Sequence, residues 1–110
     1  MNKEEIINYL IDFQNVKYDG NAEHGDEDEA FEILNESADY YEEIERHTHR
    51  WWDEVIYVGK FGDKYFKFPM AHANRDESVF DLGWNFYWDD VKEVEAYTET
   101  ITVTKYKEKE

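Results

Sequence analysis

A chain of 110 residues with a net charge of −16 and no cysteine is short for more than one domain, and it has no disulfide or thiol chemistry. Its hydrophobic fraction of 41%, including 18% aromatic residues, is too high for an acidic disordered segment. The composition therefore predicts a single acidic domain over residues 1–110, and the charge disfavours nucleic acid, phosphate ligands and anionic membranes as direct partners.

The first predicted element is a helix over residues 3–14. Asn2 followed three residues later by Glu5 matches a capping box. Apolar residues then recur at helical spacing: Ile6, Ile7, Leu10 and Ile11. Glycine and asparagine in residues 15–25 indicate a polar loop after this helix.

The second predicted helix covers residues 26–47 and carries most of an acidic run. Between Glu23 and Glu45 the chain has eleven carboxylates and no Lys or Arg. An apolar stripe recurs at helical spacing: Phe31, Leu34, Ala38 and Tyr41. Carboxylates recur on the opposite side: Glu29, Glu32, Glu36, Asp39 and Glu43. We therefore expect a row of solvent-facing carboxylates, roughly 4.5–6 Å apart along the helix axis.

After Arg50 the pattern changes to the two-residue period of β-strands. Strands are predicted at residues 52–58 and 64–68, with a tight turn between them, and Pro69 is expected to end the second strand. An irregular strand is predicted at residues 79–88, and a final strand at residues 97–106, where threonine alternates with other residues. A sheet face lined with threonine stays hydrated or contacts a partner.

The predicted fold class is α+β. Two N-terminal helices are expected to pack on an antiparallel sheet of three or four strands, because amphipathic helices and a sheet can share one core.

A second acidic group lies in the predicted loops around the sheet. It includes Asp76, Glu77, Asp89 and Asp90, close in sequence to the aromatic residues around Trp88. Aromatic anchors flanked by charges are typical of a protein interface. The alternative is that these rings belong to the core and the acids are merely solvated.

The sequence offers little for catalysis or metal binding. His47 and His49 lie close to Glu43, but their spacing matches no zinc motif, so ordinary surface histidines are favoured. There is no glycine-rich phosphate loop and no nucleophile motif. We expect no enzyme activity, no catalytic residues, no metal and no cofactor. One small basic patch (Lys60, Lys64 and Lys67) is outnumbered by acids, which argues against direct nucleic-acid binding.

In size, acidity, aromatic content and lack of catalytic motifs, the chain is similar to small phage-encoded anti-defence proteins, including anti-CRISPR and anti-restriction inhibitors. The resemblance rests on composition and on the run from Glu23 to Glu45. Those inhibitors share no common fold, so no residue roles follow from it. It implies a protein that mimics nucleic acid and occupies the basic groove of a nuclease or another nucleic-acid enzyme, blocking substrate access.

Two other hypotheses remain open at this point. The chain could be an acidic interaction module, such as an immunity-type antitoxin or a regulatory adaptor, that binds a basic protein surface. It could also be a small-ligand-binding domain, which a deep aromatic pocket would favour. A homodimer is a further open alternative. The N-terminus has no signal-peptide pattern and no stretch is long and apolar enough for a membrane span, so we expect a cytoplasmic protein, in the bacterial host cell if it is phage-encoded.

Overall fold

A computed structural model, which describes residues 1–109, has two helices followed by a four-stranded antiparallel sheet. The helices are α1 (Lys3–Tyr18) and α2 (Glu27–Glu36). The strands lie side by side in chain order: β1 (Tyr40–Thr48), β2 (Trp52–Phe61), β3 (Lys64–Ala73) and β4 (Lys92–Val94). Both helices pack on one face of the sheet around Phe61, Phe66 and Phe68. The predicted α+β class is confirmed.

Helix α1 begins as predicted and continues one turn further. The Asn2 side chain accepts a hydrogen bond from the Glu5 amide (2.9 Å), and the Glu5 carboxylate accepts one from the Asn2 amide (3.1 Å). The helix ends at Tyr18, where Asp19 adopts a left-handed conformation and its amide donates to the Asn15 carbonyl. The predicted apolar residues are all buried: Ile6, Ile7, Leu10 and Ile11.

The second half of the predicted helix over residues 26–47 is wrong. Helix α2 ends at Glu36, and strand β1 follows from Tyr40. The Tyr41 hydroxyl donates to the Leu34 carbonyl (2.7 Å) and accepts from the Ala38 amide (3.1 Å). Tyr41 therefore closes the end of the helix instead of extending its apolar stripe.

Strand pairing then replaces helical hydrogen bonds. The Asp39 amide donates to the Lys60 carbonyl (2.7 Å), and β1 pairs with β2 from Tyr40 opposite Lys60 onward. A longer helix would have placed carboxylates one turn apart, where like charges destabilise. In the strand these side chains alternate between faces.

The predicted hairpin is confirmed, with longer strands. Gly62 has the positive φ (71°) that a two-residue hairpin loop requires, and Phe61 pairs with Lys64 across it. Strand β3 does not end at Pro69 but continues to Ala73. Proline is tolerated at this position because β4 pairs with β3 only as far as Lys67. No strand on that side therefore needs a hydrogen bond from the amide that proline lacks.

The strand predicted at residues 79–88 is wrong. Residues 79–83 form a turn in which Gly83 has a φ of 103° and the Trp84 amide donates to the Val79 carbonyl (3.0 Å). Trp84 is only 6% exposed and packs with Val79 on Ala71. Its indole N–H donates to Glu54 (3.1 Å). The turn therefore covers the end of β3 that β4 does not reach.

The strand predicted at residues 97–106 is also wrong for this chain, since these residues have neither helix nor strand structure. Strand β4 pairs Val94 with Tyr65, and β3 begins only one residue earlier, at Lys64. A continuing strand would therefore run past the end of the sheet without a neighbour to pair with.

Replacing Leu10 by Ala should lower the free energy of unfolding by about 2–5 kcal/mol, because this fully buried side chain fills the interface between α1 and the sheet. The matched control is Val16→Ala on the same helix, whose side chain is 87% exposed and whose loss should change stability by less than about 0.5 kcal/mol. Urea denaturation followed by tryptophan fluorescence measures both. Equal losses in the two variants would contradict the packing of α1.

Candidate partner-binding surface

Helix α2 begins with a concentration of carboxylates. Asp26 caps it, with its side chain accepting a hydrogen bond from the Glu29 amide (3.1 Å), and three acids occupy the first turn: Glu27, Asp28 and Glu29. Negative charge at a helix N-terminus is stabilised by the unpaired amides and the helix dipole. This end of α2 can therefore carry dense charge without losing its helical structure.

Three of the five carboxylates predicted to form a row lie on α2. Glu32 and Glu36 are exposed, whereas Glu29 is half-buried. Within residues 1–109 none of the three forms an ion pair. Their charge is therefore directed to solvent and to any partner that approaches.

The other two predicted members, Asp39 and Glu43, do not belong to the helix. The Asp39 carboxylate accepts hydrogen bonds from the Gly62 amide (3.0 Å) and the Lys17 ammonium (3.1 Å), which together lower the pKa of Asp39. Glu43 lies on β1 and accepts a hydrogen bond from Arg46 (2.8 Å), whose guanidinium lowers the pKa of Glu43. Both carboxylates stabilise local structure, so a partner would have to compete for them.

An open groove of about 320 Å³ lies between α2 and the segment that follows β3. We call it the acidic–aromatic groove, and its lining residues are Glu27, Asp28, Phe31, Phe80, Phe86 and Trp88. The rings contact one another edge to face, with centroids 4.8 Å apart for Phe31 and Phe86 and 5.3 Å for Phe86 and Trp88. Phe80 remains 49% exposed. The groove thus presents apolar rings beside carboxylates.

The groove connects the two acidic groups that are separate in sequence. Trp88, half-buried, starts one turn of 3-10 helix that ends at Asp90, and both Asp89 and Asp90 are exposed. Lys3 bonds to Glu27 (2.7 Å), and this bond, with Asp89 also contributing, raises the pKa of Lys3. Because Trp88 lines the groove together with Glu27, the chain after β3 brings the neighbouring Asp89 to the acidic end of α2.

The remaining predicted acids, Asp76 and Glu77, are exposed in the loop after β3. Glu77 lines a different cavity of about 340 Å³ beside Arg50 and Arg75. It does not line the acidic–aromatic groove. Glu27, Asp28 and Phe80 were not predicted as binding residues, and Phe31 was expected in a buried stripe. No local signal identifies them, because the groove exists only where two distant segments meet.

The two histidines considered for a metal site make separate contacts. His47 contacts Glu45 (3.2 Å), and the His49 ring stacks on Trp52 with centroids 4.1 Å apart. In the described part of the chain, residues 1–109, no group of three His, Asp or Glu side chains is arranged to hold a metal ion. None of the helices in the same range has the length and apolar character needed to cross a bilayer.

Comparison with protein-family models, curated proteins and solved structures found no match to this chain.

Replacing Asp39 by Asn should remove a pH-dependent part of the stability. The pKa of Asp39 is lowered in the folded protein, so its contribution is fully present above the ordinary value of 3.8 and is lost as the pH falls through the lower folded-state pKa. The variant should therefore be less stable than the parent near about pH 7, and the difference should shrink below about pH 4.

Chemical denaturation at a series of pH values tests this expectation. Glu32→Gln is the control, since Glu32 is exposed and forms no ion pair within residues 1–109, and it should match the parent at every pH. A stability difference for Asp39→Asn that stays constant down to strongly acidic pH would mean that the charge of Asp39 is not what stabilises the junction.

Proposed function

We propose that this protein is an inhibitor that mimics nucleic acid and occupies the basic substrate groove of a nuclease or another nucleic-acid enzyme, such as a CRISPR effector or a restriction enzyme. The supporting observation is the surface formed by the first turns of α2 and the 3-10 turn at Trp88–Asp90. Exposed carboxylates are concentrated there, and Lys3 provides the one ion pair that this surface makes within residues 1–109.

The spacing of the exposed acids on α2 supports the mimicry. Asp28, Glu32 and Glu36 are four residues apart, which corresponds to about 6 Å per step along one side of the helix. Phosphates along a DNA strand recur about every 3.4 Å in axial rise and lie somewhat farther apart through space, so the two spacings are of the same order. A groove lined with Lys and Arg for a phosphate backbone could accept this row of carboxylates and release its own bound anions.

Binding of this kind requires no catalytic step and no cofactor. It should be stoichiometric, should weaken with added salt and should be competitive with nucleic acid. The place of action would be the cytoplasm, and that of the bacterial host cell if the protein is phage-encoded.

The acidic–aromatic groove favours a second candidate, an acidic interaction module such as an antitoxin or a regulatory adaptor. A phosphate mimic has no need for exposed rings, whereas Phe80 and Phe31 could receive an apolar side chain of a partner with the flanking acids guiding a basic surface. Duplex DNA would not displace such a partner.

Neutralising the acids of α2 tests whether binding depends on these carboxylates or only on the net negative charge of the protein. The triple variant Asp28→Asn, Glu32→Gln, Glu36→Gln should bind the target enzyme on the order of tenfold more weakly or worse, because it removes charge from the contact surface. Asp39 is left unchanged because it stabilises the junction of α2 and β1. The matched control makes the same change in net charge at exposed acids outside α2: Glu4→Gln, Glu23→Gln and Glu95→Gln.

The measurement is capture of partners from a bacterial lysate on the immobilised protein, with elution by stepped salt and then by duplex DNA. Release of a nucleic-acid enzyme by DNA, with loss of capture in the triple variant alone, is the expected result. Capture that survives DNA and the triple variant but is lost in Phe80→Ala would reject mimicry and support the interaction module. Circular dichroism confirms that each variant is folded.

A further inference from the structure

The last part of the chain has the composition of a strand but no partner. We call residues 97–106 the C-terminal segment. In it, Thr98, Thr100, Thr102 and Thr104 alternate with residues that include Ile101 and Val103. Ile101 is 75% exposed and Tyr106 is 92% exposed. β-Branched and aromatic residues favour strands because they pack on a pleated surface, yet within residues 1–109 this segment forms no strand and pairs with none.

The chain cannot place this segment on its own free sheet edge. The edge beyond β3 is paired with β4 as far as Lys67, and next to it Val79 and Trp84 pack against Ala71, so the long free edge is that of β1. From β4 to a position outside β1 the distance is four strand spacings, about 19 Å. The three residue steps from Val94 to Tyr97 reach at most about 11 Å. The whole segment could pair with β1 only in another molecule.

Strand β1 is matched to the segment in length and in charge order. It has 9 residues and pairs on one side with β2, which leaves the other side as an exposed edge. Its three acids, Glu42, Glu43 and Glu45, precede Arg46, and in the C-terminal segment Glu99 likewise precedes Lys105.

An antiparallel alignment places Lys105 near Glu42 and puts Glu99 at the other end of β1, near Thr48 and away from the acids of the strand. A parallel alignment would instead place Glu99 beside Glu42. Cross-strand pairs of opposite charge stabilise a sheet and like charges destabilise it. The two matching sequences occur in the same chain, which identifies a second copy as the partner.

We propose that the C-terminal segment of one copy adds antiparallel to β1 of a second copy, and that two copies form a dimer by exchanging these segments. Each β1 gains a hydrogen-bonded neighbour, and Ile101 and Val103 gain a strand to pack beside. The pairing uses a sheet edge rather than α2, so it is independent of the proposed inhibitory surface.

A charge exchange between two variants tests this pairing. The first variant reverses the charges at the end of the segment and just after it (Lys105→Glu, Lys107→Glu), and the second reverses charges on β1 (Glu42→Lys, Glu45→Lys). Each alone opposes like charges and should weaken self-association on the order of tenfold or more. In an equimolar mixture both exchanged pairings regain opposite charges, so dimers of the parental strength should return. All four side chains are exposed, so the fold should be unaffected.

Sedimentation velocity over a range of concentrations measures association. A control pair carries the same charge reversals elsewhere on the surface: Lys92→Glu with Arg75→Glu, and Glu4→Lys with Glu23→Lys. Each control variant by itself should form dimers as strongly as the parent protein does. A third variant, Ile101→Pro with Val103→Pro, removes two amide donors from the segment and should be monomeric with an unchanged melting temperature.

A parent protein that stays monomeric at all concentrations would overturn the proposal. Dimers that persist in both reversed variants, or a mixture that fails to regain dimers, would also overturn it, because the contact would then lie elsewhere.

Because the sequence has no cysteine, introduced cysteines test independently whether the two strands are antiparallel. Single cysteines at Thr48 and Glu99 in separate chains should cross-link on mixing, whereas cysteines at Thr48 and Lys105 should not.

Discussion

The Tyr41 side chain holds the helical layer and the sheet together, and the positions of the acids depend on it. Its hydroxyl bonds to the last turn of α2 at Leu34, while its ring packs on the sheet against Phe61 and Phe68. The ring also lies over Gly59, where an added Cβ would approach it to 3.1 Å. Because Tyr41 ends the helix, the acidic run is divided between α2 on one face of the sheet and β1 at its edge.

Local signals predicted α1 and the hairpin of β2 and β3, because a capping box and a glycine turn act within a few residues. They did not predict β1. The spacing of Phe31, Leu34, Ala38 and Tyr41 fits a helix by coincidence. In the structure Tyr41 instead pairs with Gly59 of β2, so this part of the chain is a strand. The turn at residues 79–83 was missed for the same reason, since it is stabilised by contacts with β3.

The candidate surface could be predicted only in part. Exposed carboxylates on α2 follow from local sequence, because charge at a helix N-terminus is favourable wherever the helix lies. The acidic–aromatic groove does not follow, since Phe31 and Phe80 meet only after the chain has crossed the sheet. Asp39 and Glu43 show the reverse error: residues expected to face a partner are bonded to Lys17 and Arg46 within the chain.

The difference between the two edges of the sheet has a consequence for aggregation. Sheets whose edges are both long and open can stack end to end without limit, as in amyloid fibres. Here one edge ends in a strand of three residues and the turn that follows β3, while Pro69 withholds an amide on the same side. Growth by pairing one sheet edge with another therefore lacks a second long edge.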